Sequence, residues 1–535
     1  MNRKRFSSIM IVTMLCFYIT QTTIVTAQQT PMIIPEPQSI KVNNETFKFP
    51  TTITVFTKEK GLIKYLNSVI PVKTITNARN ATIQLLTSPD ILKSNGKEAY
   101  TLVITKKQIK ITGGSPAGIF YGIQTLRQLL PPKTVTDKSS IHGSTIPCLT
   151  INDYPRFKWR GLMIDSGRHF FPIPVIKKML DLMALQKMNT FHWHLTEDQG
   201  WRIEIKKYPK LTEISSKRAA SPQHGRRRKS DKTPYGPFFY TQTQIKDIVN
   251  YAKERFITVV PEIEMPGHSV AALAAYPELG CTGGPYKVWT KWGISPDIYC
   301  AGNDKTYKFL EDVLTEVMGL FPSKFIHIGG DEAPKKNWDK CPKCQAKIKK
   351  EGLKNSHELQ SYFIKHFDKF LANHGRRLIG WDEILEGGLA PGAAVMSWRG
   401  TKGGIKAVKL DHDVVMTPTK ACYLDHPESK KKGEPESIGG FMLPLERVYG
   451  YNPIPKSFTE KDKKHLLGVQ GNLWSEYIWN QKDLEYKAFP RSCAIAEVGW
   501  TIPKNKNYKN FIERLKTHLQ RLKFLNVNYR PLDTK

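Results

Sequence analysis

Two adjacent acids are the first residues that suggest chemistry. The stretch KFIHIGGDEAP, residues 324–334, runs four strand-forming residues, Phe325 to Ile328, into two glycines and then into Asp331 and Glu332. A buried strand that ends in paired carboxylates must act on charge, yet neighbours on an extended chain point to opposite sides. One acid then faces a leaving oxygen, and the other sits beside the substrate, off the line of attack. That division suits a substrate that brings its own nucleophile. A 2-acetamido group can swing its carbonyl oxygen onto the anomeric carbon, which leaves positive charge on nitrogen; a carboxylate beside that nitrogen orients and stabilises it. The usual glycosidase pairs, about 5 Å apart for retention and wider for inversion, fit a diverging pair poorly.

The elements that must position these acids alternate strand and helix over about 340 residues. Eight short apolar strands are predicted: Trp159–Asp165, Thr190–Leu195, Thr258–Glu262, Phe325–Ile328, Leu378–Trp381, Ala394–Ser397, Val414–Thr417 and Leu467–Gly471. Amphipathic patterns such as IPVIKKMLDLMALQKM and ELQSYFIKHFDKFLANHG lie between them. Alternation of this length predicts an α/β fold, a (β/α)8 TIM barrel, over a doubly wound sheet, whose glycine-rich dinucleotide fingerprint is missing. In such a barrel, chemistry collects where strands end. After the first strand come Asp165 and Arg168, after the second His194, Glu197 and Asp198, and after the third Glu264 and His268. The fourth delivers Asp331 and Glu332, the fifth Trp381, the sixth Trp398, the seventh Tyr423 and Asp425, and the eighth Trp474 and Glu476. Each taken singly has a bland reading as core tryptophan or helix cap. Eight at one mouth do not. Tryptophan faces stack on sugar rings, and short carboxylates and arginine bond hydroxyls, so the mouth reads as a sugar pocket.

The rest of the chain bounds this reading. Of 535 residues, 40% are hydrophobic, a globular composition. Residues 1–27 have the form of a signal peptide: Arg3, Lys4 and Arg5, an apolar run from Ile9 to Ile19, and a small-residue site at Val25-Thr26-Ala27. The run is shorter than the ~20 residues of a membrane span, so an exported protein is expected, periplasmic, secreted or at the cell surface, with no membrane span after cleavage. Residues 28–150 read as a small α+β domain with a hairpin in YTLVITKKQIKITG and an amphipathic helix in AGIFYGIQTLRQLLPP. Residues 151–505 are the barrel, and 506–535 a helical tail. The formal charge of +33 reads first as a solvated lysine-rich surface and second as attraction to an anionic polymer or surface, with Arg226-Arg227-Arg228-Lys229 the densest run. No nucleic-acid module is present. Seven cysteines follow the leader. Cys341 and Cys344 form one CxxC, for which a zinc site would need a second pair; a short-loop disulfide or free thiols are expected there, and a staple between Cys281 and Cys300. No metal and no cofactor are expected.

HIGGDE resembles the catalytic signature of glycoside hydrolase family 20, the β-N-acetylhexosaminidases. GIFYGIQTLRQLL resembles the end of that family's accessory domain, and RGLMIDSGRHF, FHWHLTEDQGWRIEI, PEIEMPGH, GWDEIL, SWRG, YLDH and GNLWSE resemble its barrel motifs in order, over roughly residues 30–505. The resemblance implies the substrate-assisted mechanism already associated with this family. It implies Glu332 as general acid/base, Asp331 as partner of the acetamido nitrogen and Tyr423 as donor to the acetamido oxygen. It further implies Trp381, Trp398 and Trp474 as walls, Arg168, Asp425 and Glu476 on the outer hydroxyls, and Asp198 with His268 supporting the acid/base residue. His327 reads as structural. The implied substrate is a glycan ending in β-linked N-acetylhexosamine. Cleavage of a sulfated sugar or disaccharide unit, and a non-catalytic glycan-binding protein, are the alternatives.

Overall fold

A computed structural model describes residues 31–223 and 226–533, the side chains of 223–230 excepted. The predicted leader at 1–27 lies outside the described residues. The N-terminal part is a seven-stranded mixed sheet. In spatial order its strands are Ser39–Lys48, Thr145–Asp153, Tyr100–Ile104, Ile109–Gly113, Ile83–Thr87, Thr54–Thr57 and Lys73–Thr74. Ser39–Lys48 and Thr145–Asp153, neither of them predicted, pair at one edge. The predicted hairpin is present, Tyr100 opposite Gly113. The helix Pro116–Leu129 is buried nearly all round rather than on one face, because the sheet covers one side of it and the barrel's outer layer the other. Gly118 makes that close approach possible: a Cβ there would stand 2.1 Å from the Ala99 carbonyl oxygen.

The barrel closes in chain order through Trp159–Asp165, Thr190–His194, Thr258–Glu262, Phe325–His327, Arg377–Trp381, Ala394–Ser397, Val414–Met416 and Leu466–Leu473, with the last strand parallel to the first. The predicted strands are these, with ends moved by one or two residues. The first strand is buried over its whole length, as a parallel strand covered on both faces must be. Apolar side chains divide into two bodies. Trp159, Val260, Ile379, Trp381, Ala394, Met396 and Val415 fill the barrel's interior. A far larger cluster lies between the strands, the helices and the N-terminal sheet.

Buried polar contacts lock sheet to barrel. Asp153 accepts from Trp500 Nε1 at 2.8 Å and pairs with Lys187 Nζ at 2.8 Å. The predicted tail forms the helix Tyr508–Phe524, and from it Arg514 pairs with Glu497 at 2.5 Å and donates to the Ile33 carbonyl at 2.8 Å. The basic run forms one strand, Arg226–Ser230, of a small hairpin, its side chains outside the described residues. Of the two expectations for Cys341 and Cys344, free thiols hold; the Cys281–Cys300 staple is not formed, and all four cysteines meet in one cluster. The sequence lacked a second CxxC, but the fold supplies the second pair from residues 19 apart. Among the described residues no helix is long and apolar enough to cross a membrane.

The Gly118 contact makes a prediction. Because the obstructing atom is backbone, Gly118→Ala must push helix from sheet, costing ~1–3 kcal/mol. A lower thermal unfolding midpoint is expected, and an unchanged one would show that the helix has room.

Candidate active site

The opening puzzle is resolved by local backbone rather than by opposed strand neighbours. The fourth barrel strand stops at His327, and Gly329 and Gly330 follow with φ of 66° and 92°. Glu332 itself has φ of 42°, a left-handed conformation that non-glycine residues adopt rarely. Neither glycine has room for a side chain: a Cβ on Gly329 would fall 1.7 Å from Glu264 Oε2, and one on Gly330 would fall 2.5 Å from Ile384 Cγ2. The turn therefore brings the two carboxylates together, contrary to the expected divergence. Asp331 Oδ2 and Glu332 Oε2 lie 3.6 and 3.5 Å from the same atom, His268 Nε2, and a ring nitrogen of His268 and one oxygen of each acid fall within 4.8 Å of one another.

Behind this pair runs a buried chain of alternating charge. Glu262, at the end of the third strand, is its hub. It lies 2.6 Å from His194 Nδ1, 3.0 Å from His192 Nε2 and 2.8 Å from His327 Nδ1, and accepts from Trp381 Nε1 at 2.8 Å. His194 Nε2 is 3.3 Å from Glu197. Glu197 in turn pairs with Arg168 Nη2 at 3.0 Å and His268 Nδ1 at 2.8 Å. Burial works against charge on His194, but Glu262 first and then Glu197 and Asp165 push it up to about 10. Burial likewise opposes charge on His268, and Glu197, Asp198 and Asp331 outweigh it and hold the imidazole well above its usual range. The site thus presents a fixed cation to both carboxylates. Glu264 is the contrasting case: burial, then Asp331 and Glu262, raise it well above the carboxylate range, so it stays neutral.

The predicted pocket residues are brought to this mouth. Trp381, Trp474, Tyr423 and Trp398 form a continuous aromatic wall, with ring centroids 5.6 Å apart for Trp381–Trp474, 6.2 Å for Tyr423–Trp474 and 6.0 Å for Trp398–Tyr423. Burial, reinforced by the charges of Asp331, Asp425 and Glu383, keeps the Tyr423 hydroxyl protonated and able to donate. Arg168 pairs with Asp165 at 3.1 Å, lies 3.6 Å from Glu476, and its guanidinium sits 5.1 Å over the Trp474 ring. Asp425 Oδ1 and Asp331 Oδ1 are buried without a hydrogen-bond partner, so two acceptors stand ready for a ligand.

Asp198 stands beside His268 as expected: it is fully buried, lies 3.4 Å from His268 Nδ1, and accepts from Val270 N at 3.0 Å. His268's nearer partner is Glu197, which sequence reasoning placed at the mouth but not in the site. Glu383 was also missed; it accepts from Trp398 Nε1 at 2.9 Å and shares with Glu332 an outward groove of about 460 Å³, lined further by Ile294, Lys335 and Arg399. Its signal was present in Trp381-Asp382-Glu383, a second acid pair at a strand end. His327 is buried against Glu262, the structural place expected of it.

Fold and site together define a parallel barrel with a carboxylate-and-tryptophan pocket at the C-terminal ends of its strands. Residues 157–503 match the model for the glycosyl hydrolase family 20 catalytic domain, and residues 30–154 that for the family's domain 2. The chain belongs to glycosyl hydrolase family 20. A β-hexosaminidase of Porphyromonas gingivalis is 50% identical over 434 residues, 81% of this chain and 54% of its own, so the chain spans about half the length of that relative. A β-hexosaminidase of Vibrio furnissii is 37% identical over 428 residues, 78% of this chain and 67% of its own. Among solved structures, the exo-β-N-acetylglucosaminidase of Vibrio harveyi in complex with N-acetylglucosamine superposes with a TM-score of 0.82 at 32% identity, covering 94% of this chain and 78% of that one.

Two pocket acids set a pH dependence. Burial, then Asp331, pushes Glu383 up to about 8 from 4.5, and burial, then Glu476, pushes Asp425 up to about 8 from 3.8. Between those limits the folded chain holds protons that the unfolded chain has lost, so stability falls as pH rises. Glu383→Gln removes one such proton; its unfolding midpoint relative to wild type is expected to be higher at pH 8 than at pH 5. A difference independent of pH would place the Glu383 carboxyl in the ordinary range.

Proposed function

We propose that this chain is an exo-acting β-N-acetylhexosaminidase. It removes terminal, non-reducing β-linked N-acetylglucosamine or N-acetylgalactosamine and retains the β configuration through an oxazolinium intermediate. The observation that carries this reading is the asymmetric pair. Asp331 and Glu332 share His268, yet the Asp331 side chain is 11% exposed and electrostatically coupled to Tyr423, whereas Glu332 is 33% exposed and lines the outward groove. Glu332 is thus placed for a leaving group and Asp331 for the interior of the pocket. The named activities of the relatives support the substrate class.

In the first step the substrate's acetamido oxygen bonds to the anomeric carbon as the glycosidic C–O bond breaks, and the Glu332 proton passes to the departing oxygen. Asp331 accepts the acetamido N–H and offsets the charge growing on nitrogen, and Tyr423 donates to the acetamido oxygen, aligning it for attack. Trp381, Trp398 and Trp474 enclose the reacting group and exclude water. Water then attacks the anomeric carbon, returns a proton to Glu332 and opens the ring, leaving the β product. His268, charged throughout, fixes both carboxylates without exchanging a proton itself. Arg168, Asp425 and Glu476 hold the hydroxyls on the far side of one sugar, which suits exo action. Direct attack by Asp331 would also fit a separation under 5 Å, but it requires the two acids to flank opposite faces of the sugar, and neighbours on one tight turn do not. The leader-like N-terminus supports export.

Glu332→Gln removes only proton transfer, so activity on a disaccharide is expected to fall by ~10²–10⁴, with a smaller loss on a nitrophenyl glycoside whose leaving group needs no proton. Asp331→Asn misorients the acetamido group for every substrate, so comparable losses on both are expected. Equal losses on both substrates in both variants would refute the division of roles, and an α-configured first product would refute the mechanism.

A further inference from the structure

We propose that Cys281, Cys300, Cys341 and Cys344 form a structural zinc site that ties the loop after the third barrel strand to the segment after the fourth. The four sulfurs close on a common centre. Cys300 Sγ lies 3.7 Å from that of Cys341 and 3.6 Å from that of Cys344, Cys281 Sγ is 3.9 Å from that of Cys344, and all four fall within 4.8 Å of one another. Tetrahedral zinc with Zn–S bonds near 2.3 Å sets its sulfurs about 3.8 Å apart. Two disulfides would need only two close pairs, whereas here the contacts run across both pairings.

The surroundings are built for thiolates. Cys344 lies in the first turn of the helix Pro342–Lys350, where backbone N–H groups favour negative charge. Gly302 packs onto the CxxC turn so closely that a Cβ would meet Lys343 C at 2.2 Å and Cys344 N at 2.3 Å. Cys300, Cys341 and Cys344 are buried, so the centre is closed, as structural sites are.

The site has a reason to be where it is. Between Cys281 and Cys300 runs a loop that donates Trp289 N to Asp198 O at 3.0 Å, accepts from Gln199 at Lys291 O at 2.7 Å, and brings Ile294 to the groove beside Glu332. Zinc would hold that wall of the groove in register with the carboxylate pair.

The test is metal analysis of the full chain purified without added metal or chelator, with X-ray absorption at the zinc edge. One zinc per chain with four sulfur ligands at about 2.3 Å is expected, lost in Cys300→Ser and Cys344→Ser. Zinc removal is expected to raise KM for oligosaccharides more than for a nitrophenyl monosaccharide. The wild-type spectrum decides alone, whether or not the serine variants fold. A zinc shell of nitrogen or oxygen, iron in place of zinc, no metal, or disulfide-linked peptides joining these cysteines in a non-reduced digest would each overturn the proposal.

Discussion

One buried carboxylate, Glu262, organises everything above it. It closes the third barrel strand and gathers His192, His194, His327 and the Trp381 indole within 3.0 Å. A carboxylate fully removed from water is costly unless charge and hydrogen bonds compensate it. Here both oxygens are used, and burial's upward push is overcome by His327, His194 and His192, which hold Glu262 well below the usual range. The hub thereby fixes the pocket floor through Trp381 and starts a relay through His194 and Glu197 to Arg168 and His268.

That relay explains how acids can crowd a pocket without all discharging one another. Glu197 stays ionised because, against burial, Arg168 and His268 stand beside it. Glu264, whose nearest cation His194 stands 3.8 Å away, is raised by burial and by Asp331 and Glu262 well above the carboxylate range. Asp331 and Glu332 meet His268, the last cation of the relay, at nearly equal distance. Strain completes the device: positive φ at Gly329, Gly330, Glu332 and His268 marks the two loops that converge here. Such backbone persists only where surroundings enforce it, and Glu264 and Ile384 enforce it at the glycines.

Much of this was legible in the sequence because the barrel advertises itself. Apolar strand runs, helical periodicity and polar residues after every strand are local signals, and they located all eight strands and the pocket's tryptophans. What stayed hidden depends on contacts between distant segments. The divergence expected of Asp331 and Glu332 assumed that the strand continues, which backbone at two glycines reverses. Glu197 and Asp198 are neighbours, and only packing shows that both meet His268, Glu197 the nearer. The edge strand Ser39–Lys48 and its neighbour Thr145–Asp153 pair across about a hundred residues, and the four cysteines meet only once two loops are folded.

The pocket turns on His268 as a permanent cation between the two carboxylates. Nitrogen-15 NMR of histidine-labelled protein reads this directly from the ring nitrogens. His268 is expected to remain doubly protonated across pH 6 to 8, and Glu197→Gln, by removing its nearest carboxylate, to make it titrate within that window. A wild-type His268 that is neutral at pH 7, or that titrates near 6.5 like an unperturbed imidazole, would contradict it.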